Sequence, residues 1–172
     1  DHNYENVMAA LAIAEAAGVP SDITIDVTKN FHAVEHRIEK VDTIDGVVYY
    51  NDSKGTNTDA SIKAIKAMSR PTLLIAGGYD KNSPYDDFIE SFDGKIKELV
   101  LIGATAEKIK ACALEHGFTN IKMADSLEEA VSICKADSEN GDAVLLSPAC
   151  ASWDMFKSYE QRGRLFKDLV KG

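Results

Sequence analysis

The sequence predicts an α/β fold, a mostly parallel sheet with helices on both faces, preceded by a helical segment. Three observations predict it. Short runs of apolar residues at Thr72 to Ala76, Leu99 to Ile102 and Ala143 to Leu146 alternate with amphipathic stretches of helical length. Strands that are apolar at consecutive positions are buried on both faces, as in parallel sheets covered by helices. Helix start and stop residues punctuate the alternation, and polar or glycine-rich segments follow the apolar runs.

The 172 residues are enough for one ordinary domain, or for one domain carrying a tail from a neighbour. With 45% hydrophobic and 27% charged residues and no low-complexity tract, the composition is that of a folded, soluble chain. A net charge of -9 argues against nucleic-acid or anionic-membrane partners, whose phosphates are gripped by clustered Lys and Arg. The longest apolar runs fall far short of the roughly 20 residues of a membrane-spanning helix. The three cysteines, Cys112, Cys134 and Cys150, show no CxxC spacing, so neither a disulfide framework nor a zinc site is expected. That usage fits a cytoplasmic protein. The chain opens on Asp1 and His2, with no secretory leader before its first helical pattern, and reads as an excised segment.

From Asn3 to Ala17, Val7, Met8, Leu11, Ala14 and Ala17 recur at helical spacing, and Gly18 and Pro20 supply a stop. A polar stretch follows. Between Ile44 and Tyr50, Asp45-Gly46 sits between Val/Ile-rich flanks, a signature of a type I′ hairpin turn. A helix is expected over Thr58 to Met68, then the strand Thr72 to Ala76. Ser83 and Pro84 read as cap and first-turn proline of a helix carrying Phe88, Ile89 and Phe92. The strand Leu99 to Ile102 and a helix from Ala106 to His116, closed by Gly117, come next. The strand Asn120 to Met123 leads into the capping-box residues Ser126-Leu127-Glu128-Glu129 and a helix burying Leu127, Ala130, Val131 and Cys134. After the strand Ala143 to Leu146, a last helix from about Tyr159 to Val170 carries Leu165, Phe166 and Leu169 on one side. The pattern is Rossmann-like.

Ligands of open parallel sheets collect at the carboxyl ends of the strands. Three loops there carry unusual residues. Asn51-Asp52-Ser53-Lys54-Gly55-Thr56-Asn57 puts a carboxylate, an ammonium and hydroxyls just before a helix N-terminus, a combination suited to an anion and a ribose. Gly77-Gly78-Tyr79-Asp80-Lys81 allows close backbone approach, with Lys81 available for a carboxylate. Ser147-Pro148-Ala149-Cys150-Ala151-Ser152-Trp153-Asp154 joins small residues and hydroxyls to the only tryptophan. Each alone also reads as a capped or tight turn, the commoner meaning for the second and third, with Ser152 a helix cap and Trp153 a core residue. On one sheet edge, three such loops converge on one crevice.

These three loops, with Phe156 and Glu160-Gln161-Arg162-Gly163 after the last, resemble the C-terminal domain of the Mur ligase family, in its D-glutamate-adding branch. His2-Asn3-Tyr4-Glu5-Asn6 before Ala9-Ala10 resembles the end of the family's central ATPase domain, and His36-Arg37 the entry to the third. The resemblance implies that residues 1–34 end the central ATP-binding domain and 35–172 form the amino-acid-binding domain. It implies an ATP-dependent ligase of peptidoglycan synthesis: ATP phosphorylates the carboxylate of UDP-N-acetylmuramoyl-L-alanine, and the amine of D-glutamate attacks the acyl phosphate. It further implies that Asn3 and Asn6 contact adenine, Arg37 the ATP phosphates and Asp52 the ribose. Lys54 and Thr56 would serve catalysis with Arg37, and Thr56, Lys81, Ser152, Trp153 and Tyr159 would hold D-glutamate. The ligands of Mg2+ are expected in the central domain, because this chain has no GxxxxGK[ST] loop and no metal-ligating set is expected in it. The chain alone is then inactive, and its partners are those small molecules and the remaining domains. Trp153, Tyr159 and Gly55 depart from the Leu, Phe and Ala usual in the branch, which leaves the pocket's shape open. Another Mur-type or folylpolyglutamate-type ligase, or a non-catalytic nucleotide-binding module, are the competing readings.

Overall fold

A computed structural model describes residues 2–31 and 34–172, with residues 2–5 described by backbone alone. The chain divides into two units, Asp1–Val34 and Glu35–Gly172.

The first unit holds α1 (His2–Ala16) and α2 (Ser21–Lys29). Gly18, at φ +75°, closes α1, and the Val19 N–H reaches back to the Ala14 carbonyl as in a Schellman ending. Helix α2 falls in the segment expected to be merely polar. Its apolar residues Ile23, Ile25 and Val27 stand two apart, a strand-like spacing, and all three are exposed on the helix that forms.

The second unit runs β1 (Glu39–Ile44), β2 (Val47–Asn51), α3 (Thr58–Ala67), β3 (Thr72–Gly77), α4 (Asp86–Glu90), β4 (Ile96–Ile102), α5 (Ala106–Glu115), β5 (Ile121–Met123), α6 (Leu127–Asp137), β6 (Ala143–Leu146) and α7 (Tyr159–Lys171). Strands β1 and β2 form the expected hairpin. Ile44 pairs with Val47, and both turn residues have positive φ, 49° at Asp45 and 82° at Gly46, which is the type I′ geometry. One helix starts later than expected. Helix α4 begins at Asp86 with Tyr85 at its N-cap, so Ser83 and Pro84 belong to the loop before it.

The six strands lie in the order β1-β2-β6-β3-β4-β5, with only β1 antiparallel. Alternate residues of each strand feed two cores. Leu74, Leu99, Leu101 and Leu145 pack under α3, α4 and α5 with Ile65, Phe88 and Ile109. Leu73, Ile75, Val100 and Val144 pack on the other face under α6 and α7 with Leu127, Val131, Phe166 and Val170. Strand β6, reached last, inserts between β2 and β3. The chain leaves β2 and β3 toward the α3 to α5 face and leaves β6 toward the α7 face. Neighbouring strands whose exits diverge in this way open a crevice at their carboxyl ends. Among the described residues no helix is long and apolar enough to cross a membrane.

Candidate functional site

The crevice flanks β6, and its walls are the three loops that leave β2, β3 and β6. In-register pairing of Asn51 with Leu146, and of Ile75 with Leu146, brings those loops out side by side. Backbone bonds then hold them together. Asp52 N–H donates to the Leu146 carbonyl at 2.8 Å, Gly77 N–H to that of Pro148 at 2.8 Å and Tyr79 N–H to that of Ala151 at 2.9 Å. Gly77 and Gly78 have φ of 109° and 145°, where a side chain is strained, and a Cβ on Gly78 would run into the Ala151 carbonyl.

Beneath the surface lies a polar network. The Asp52 carboxylate, 4% exposed, accepts from Ile38 N–H at 3.2 Å and from the Ser147 hydroxyl at 2.7 Å. Ser147 Oγ is also 2.8 Å from Ser61 Oγ, which accepts from Ala149 N–H at 2.9 Å. Burial pushes the Asp52 carboxyl up to about 6, against the opposing pull of the Ser147 and Ile38 hydrogen bonds and the charges of Arg37 and Arg162. Arg162, 1% exposed, ties the first and third loops together. Its Nε donates to Ser53 Oγ at 3.0 Å, and its Nη2 to the carbonyls of Ser53 at 2.9 Å and Cys150 at 3.2 Å. Burial pushes the guanidinium down to about 10, opposed by nearby acidic groups.

Above the network the exposed chemistry is cationic and aromatic. Lys81 Nζ lies 5.2 Å from the centre of the Trp153 ring and 3.4 Å from the Thr56 carbonyl, and the Trp153 ring meets Tyr79 at 5.5 Å. Trp153 is 65% exposed rather than a core residue. Lys54 Nζ lies 5.8 Å from the centre of the Tyr159 ring, which stands nearly perpendicular to the His36 ring, 6.0 Å between centres. Asn57 caps α3 by accepting from Ala60 N–H at 2.9 Å. The Ser152 carbonyl receives the N–H groups of Met155 and Phe156, and the residue is buried.

Of the residues expected at a site, the structure gathers Asp52, Lys54, Thr56, Lys81, Ser152, Trp153 and Tyr159 on these loops and at the start of α7. Arg37 is exposed, and its charge acts on both Asp52 and Tyr159. Asn6 is an exposed residue of α1 in the first unit, and the Asn3 side chain lies outside the described residues. Sequence reasoning assigned no role to Arg162 or Ser61. The available signal for Arg162 was its position: it falls on the stripe Arg162, Phe166, Val170 at intervals of four, the face α7 buries.

This arrangement is suited to anions. Two ammonium groups and an exposed guanidinium face solvent, whereas the carboxylates are separately engaged: Asp52 in the network, Asp80 by Lys108 at 3.3 Å and Asp154 by Ala104 N–H at 2.9 Å. Those carboxylates do not converge, so they do not fit a Mg2+ site.

The family model described as "Mur ligase, glutamate ligase domain" matches residues 36–150. This chain belongs to that family. Over 169 residues it is 61% identical to the UDP-N-acetylmuramoylalanine–D-glutamate ligase of Lachnospira eligens, which covers 98% of this chain and 38% of the relative. The enzyme of the same name from Lachnoclostridium phytofermentans is 60% identical, covering 98% of this chain and 37% of its own length. The chain thus spans well under half the length of these relatives. The fold is shared with the UDP-N-acetylmuramate-alanine ligase of Thermotoga maritima, at a TM-score of 0.71 and 14% identity, over 99% of this chain and 38% of that one. A bifunctional folylpolyglutamate synthase/dihydrofolate synthase of Yersinia pestis gives 0.68 at 14% identity, over 94% of this chain and 37% of its own.

Proposed function

We propose that the chain is the C-terminal, amino-acid-binding part of an ATP-dependent ligase that joins D-glutamate to UDP-N-acetylmuramoyl-L-alanine, a cytoplasmic step of peptidoglycan synthesis. The observation that supports this most is 61% identity across 98% of the chain to a relative so named. In this reading residues 1–34 close the central ATP-binding domain, and residues 35–172 carry the D-glutamate site. ATP phosphorylates the carboxylate of the nucleotide-linked substrate, the amine of D-glutamate attacks the acyl carbon, and phosphate departs.

The crevice suits that chemistry because every participant is anionic. Lys81 holds a D-glutamate carboxylate by a charge-assisted hydrogen bond, with Thr56 and Ser152 beside it and Trp153 and Tyr159 shaping the walls. Lys54 and Arg37 face the phosphates, where fixed positive charge stabilises the charge that develops as phosphate leaves. Asp52 accepts from the ribose with lone pairs left over from its two internal bonds, and Asn3 and Asn6 contact adenine. Mg2+ would be held by residues of the central domain outside this chain, where it would add to the charge neutralisation that Lys54 and Arg37 supply.

The test is phosphate release by the full-length protein containing this chain, with UDP-N-acetylmuramoyl-L-alanine, ATP and a panel of amino acids. Activity should follow D-glutamate alone. Lys81→Ala should raise the KM for D-glutamate by about one to two orders of magnitude, the worth of one charged hydrogen bond, and Ser152→Ala should raise it less. Activity with a different amino acid, or an unchanged KM in Lys81→Ala, overturns the assignment.

A further inference from the structure

Away from the crevice, α4 and α5 pack side by side on one face of the sheet. Each offers two donor side chains one helical turn apart: Asp86 and Glu90 on α4, and Cys112 and His116 on α5 and its C-cap. The four meet. His116 Nε2 is 3.2 Å from Asp86 Oδ1, and His116 Nδ1 is 3.8 Å from Glu90 Oε1. The donor atoms of Asp86, Cys112 and His116 all lie within 4.8 Å of one another. No CxxC spacing announces this group, because its members come from two helices.

A carboxylate faces each nitrogen of the His116 ring. A neutral imidazole has one N–H, so one of its nitrogens turns a lone pair toward an oxygen unless a proton or a metal ion stands between them. The thiol distinguishes these two answers. A thiol is only a weak hydrogen-bond donor and acceptor, so it adds little to a simple ion pair. To a metal it adds a sulfur ligand. A tetrahedral zinc ion holds N, O and S donors at about 2.0 to 2.3 Å, which spaces those donors about 3.3 to 3.6 Å apart. The 3.2 Å between Asp86 and His116 is already near that spacing, and side-chain rotation brings in the sulfur. Glu90, on the far nitrogen, occupies the place of the carboxylate that orients a metal-bound histidine. The other mixed cluster in the second unit, Glu35, His36 and Glu39, is different: the Lys167 ammonium already bridges its two carboxylates at 2.8 and 2.9 Å.

We propose that Asp86, Cys112 and His116 form a binding site for a zinc-type divalent cation, with Glu90 orienting the imidazole and solvent completing the coordination. The ion would clamp α4 to α5. Thiolate and imidazole select zinc-type ions over magnesium or calcium, which prefer all-oxygen sites.

The test uses Co2+ as a spectroscopic stand-in, with Zn2+ as competitor, on the purified 172-residue chain. One equivalent of Co2+ should produce a thiolate-to-cobalt charge-transfer absorption that Zn2+ abolishes. Zn2+, but not Mg2+, should slow labelling of Cys112 by a thiol reagent by about tenfold or more. Cys134 and Cys150 are buried and react separately, on unfolding. Cys112→Ser should abolish the absorption, His116→Ala should weaken binding severely, and Glu90→Gln should weaken it by about tenfold with the absorption retained. All four residues lie near the surface, and circular dichroism checks that each variant is folded. Absence of the charge-transfer absorption, its survival in Cys112→Ser, or undiminished affinity in His116→Ala overturns the site.

Discussion

Replacing Arg162 by Met should unfasten the floor of the crevice. Methionine keeps most of the aliphatic volume and removes only the guanidinium, so the change reads out the polar contacts. Three hydrogen bonds disappear, to Ser53 Oγ, the Ser53 carbonyl and the Cys150 carbonyl. Bonds from a charged donor contribute about 1.5 to 3 kcal/mol each, giving a gross loss of about 5 to 9 kcal/mol. Relief of the cost of burying the charge, several kcal/mol for such a group, offsets a large part. The net expectation is a loss of about 3 kcal/mol, or about 6 to 12 °C in Tm. Urea unfolding followed by circular dichroism measures it. Trp153, the only tryptophan, sits in the loop that Arg162 holds through Cys150, so its fluorescence should change in the variant even in the absence of denaturant. Arg162→Lys should recover only part of the loss, since a single ammonium cannot reproduce the guanidinium's fork of donors. A stability within about 1 kcal/mol of the parent, the range of ordinary surface substitutions, would refute the claim that this arginine ties the loops together.

Two further outcomes follow from the same network. The folded-state pKa of Asp52 is raised above the unfolded value, so its contribution to stability is full below about pH 4 and is lost as pH rises toward 6. Asp52→Asn keeps the bond from Ile38 N–H and can donate to a Ser147 hydroxyl turned toward Ser61. Its stability relative to the parent should therefore rise by about 2 kcal/mol between pH 4 and 6, and parallel pH profiles in urea unfolding would refute the burial argument. Gly163→Ala should destabilise by about 1 to 3 kcal/mol despite the better helix propensity of alanine, because the new Cβ collides with Nδ1 of the buried His36 ring, itself 2.9 Å from Asn51 Nδ2. An unchanged or raised Tm would mean that the ring has room to move.

The architecture was legible because β3, β4 and β6 are buried on both faces and so carry apolar side chains at consecutive positions, a pattern that exposed elements do not require. Helix α2 was not legible, for the complementary reason. It buries none of its residues, so burial imposes no helical periodicity on it, and its β-branched residues at alternate positions suggest a strand. The crevice was legible to the depth of its surface. Lys54, Thr56, Lys81 and Trp153 announce themselves as unusual residues in loops after strands, whereas Arg162 sits inside an amphipathic helix where charge ordinarily means solvent. Its register with Phe166 and Val170 is the only mark of burial, and that mark gains meaning once Ser53 and Cys150 are known to lie against it. The α4–α5 group is illegible for a further reason. Its spacing of four residues is ordinary on each helix, and becomes a constellation only because the order β3-β4-β5 sets the two crossover helices next to each other. Residues that act through one loop can be read along the chain, but residues that act across elements appear only after the topology is known.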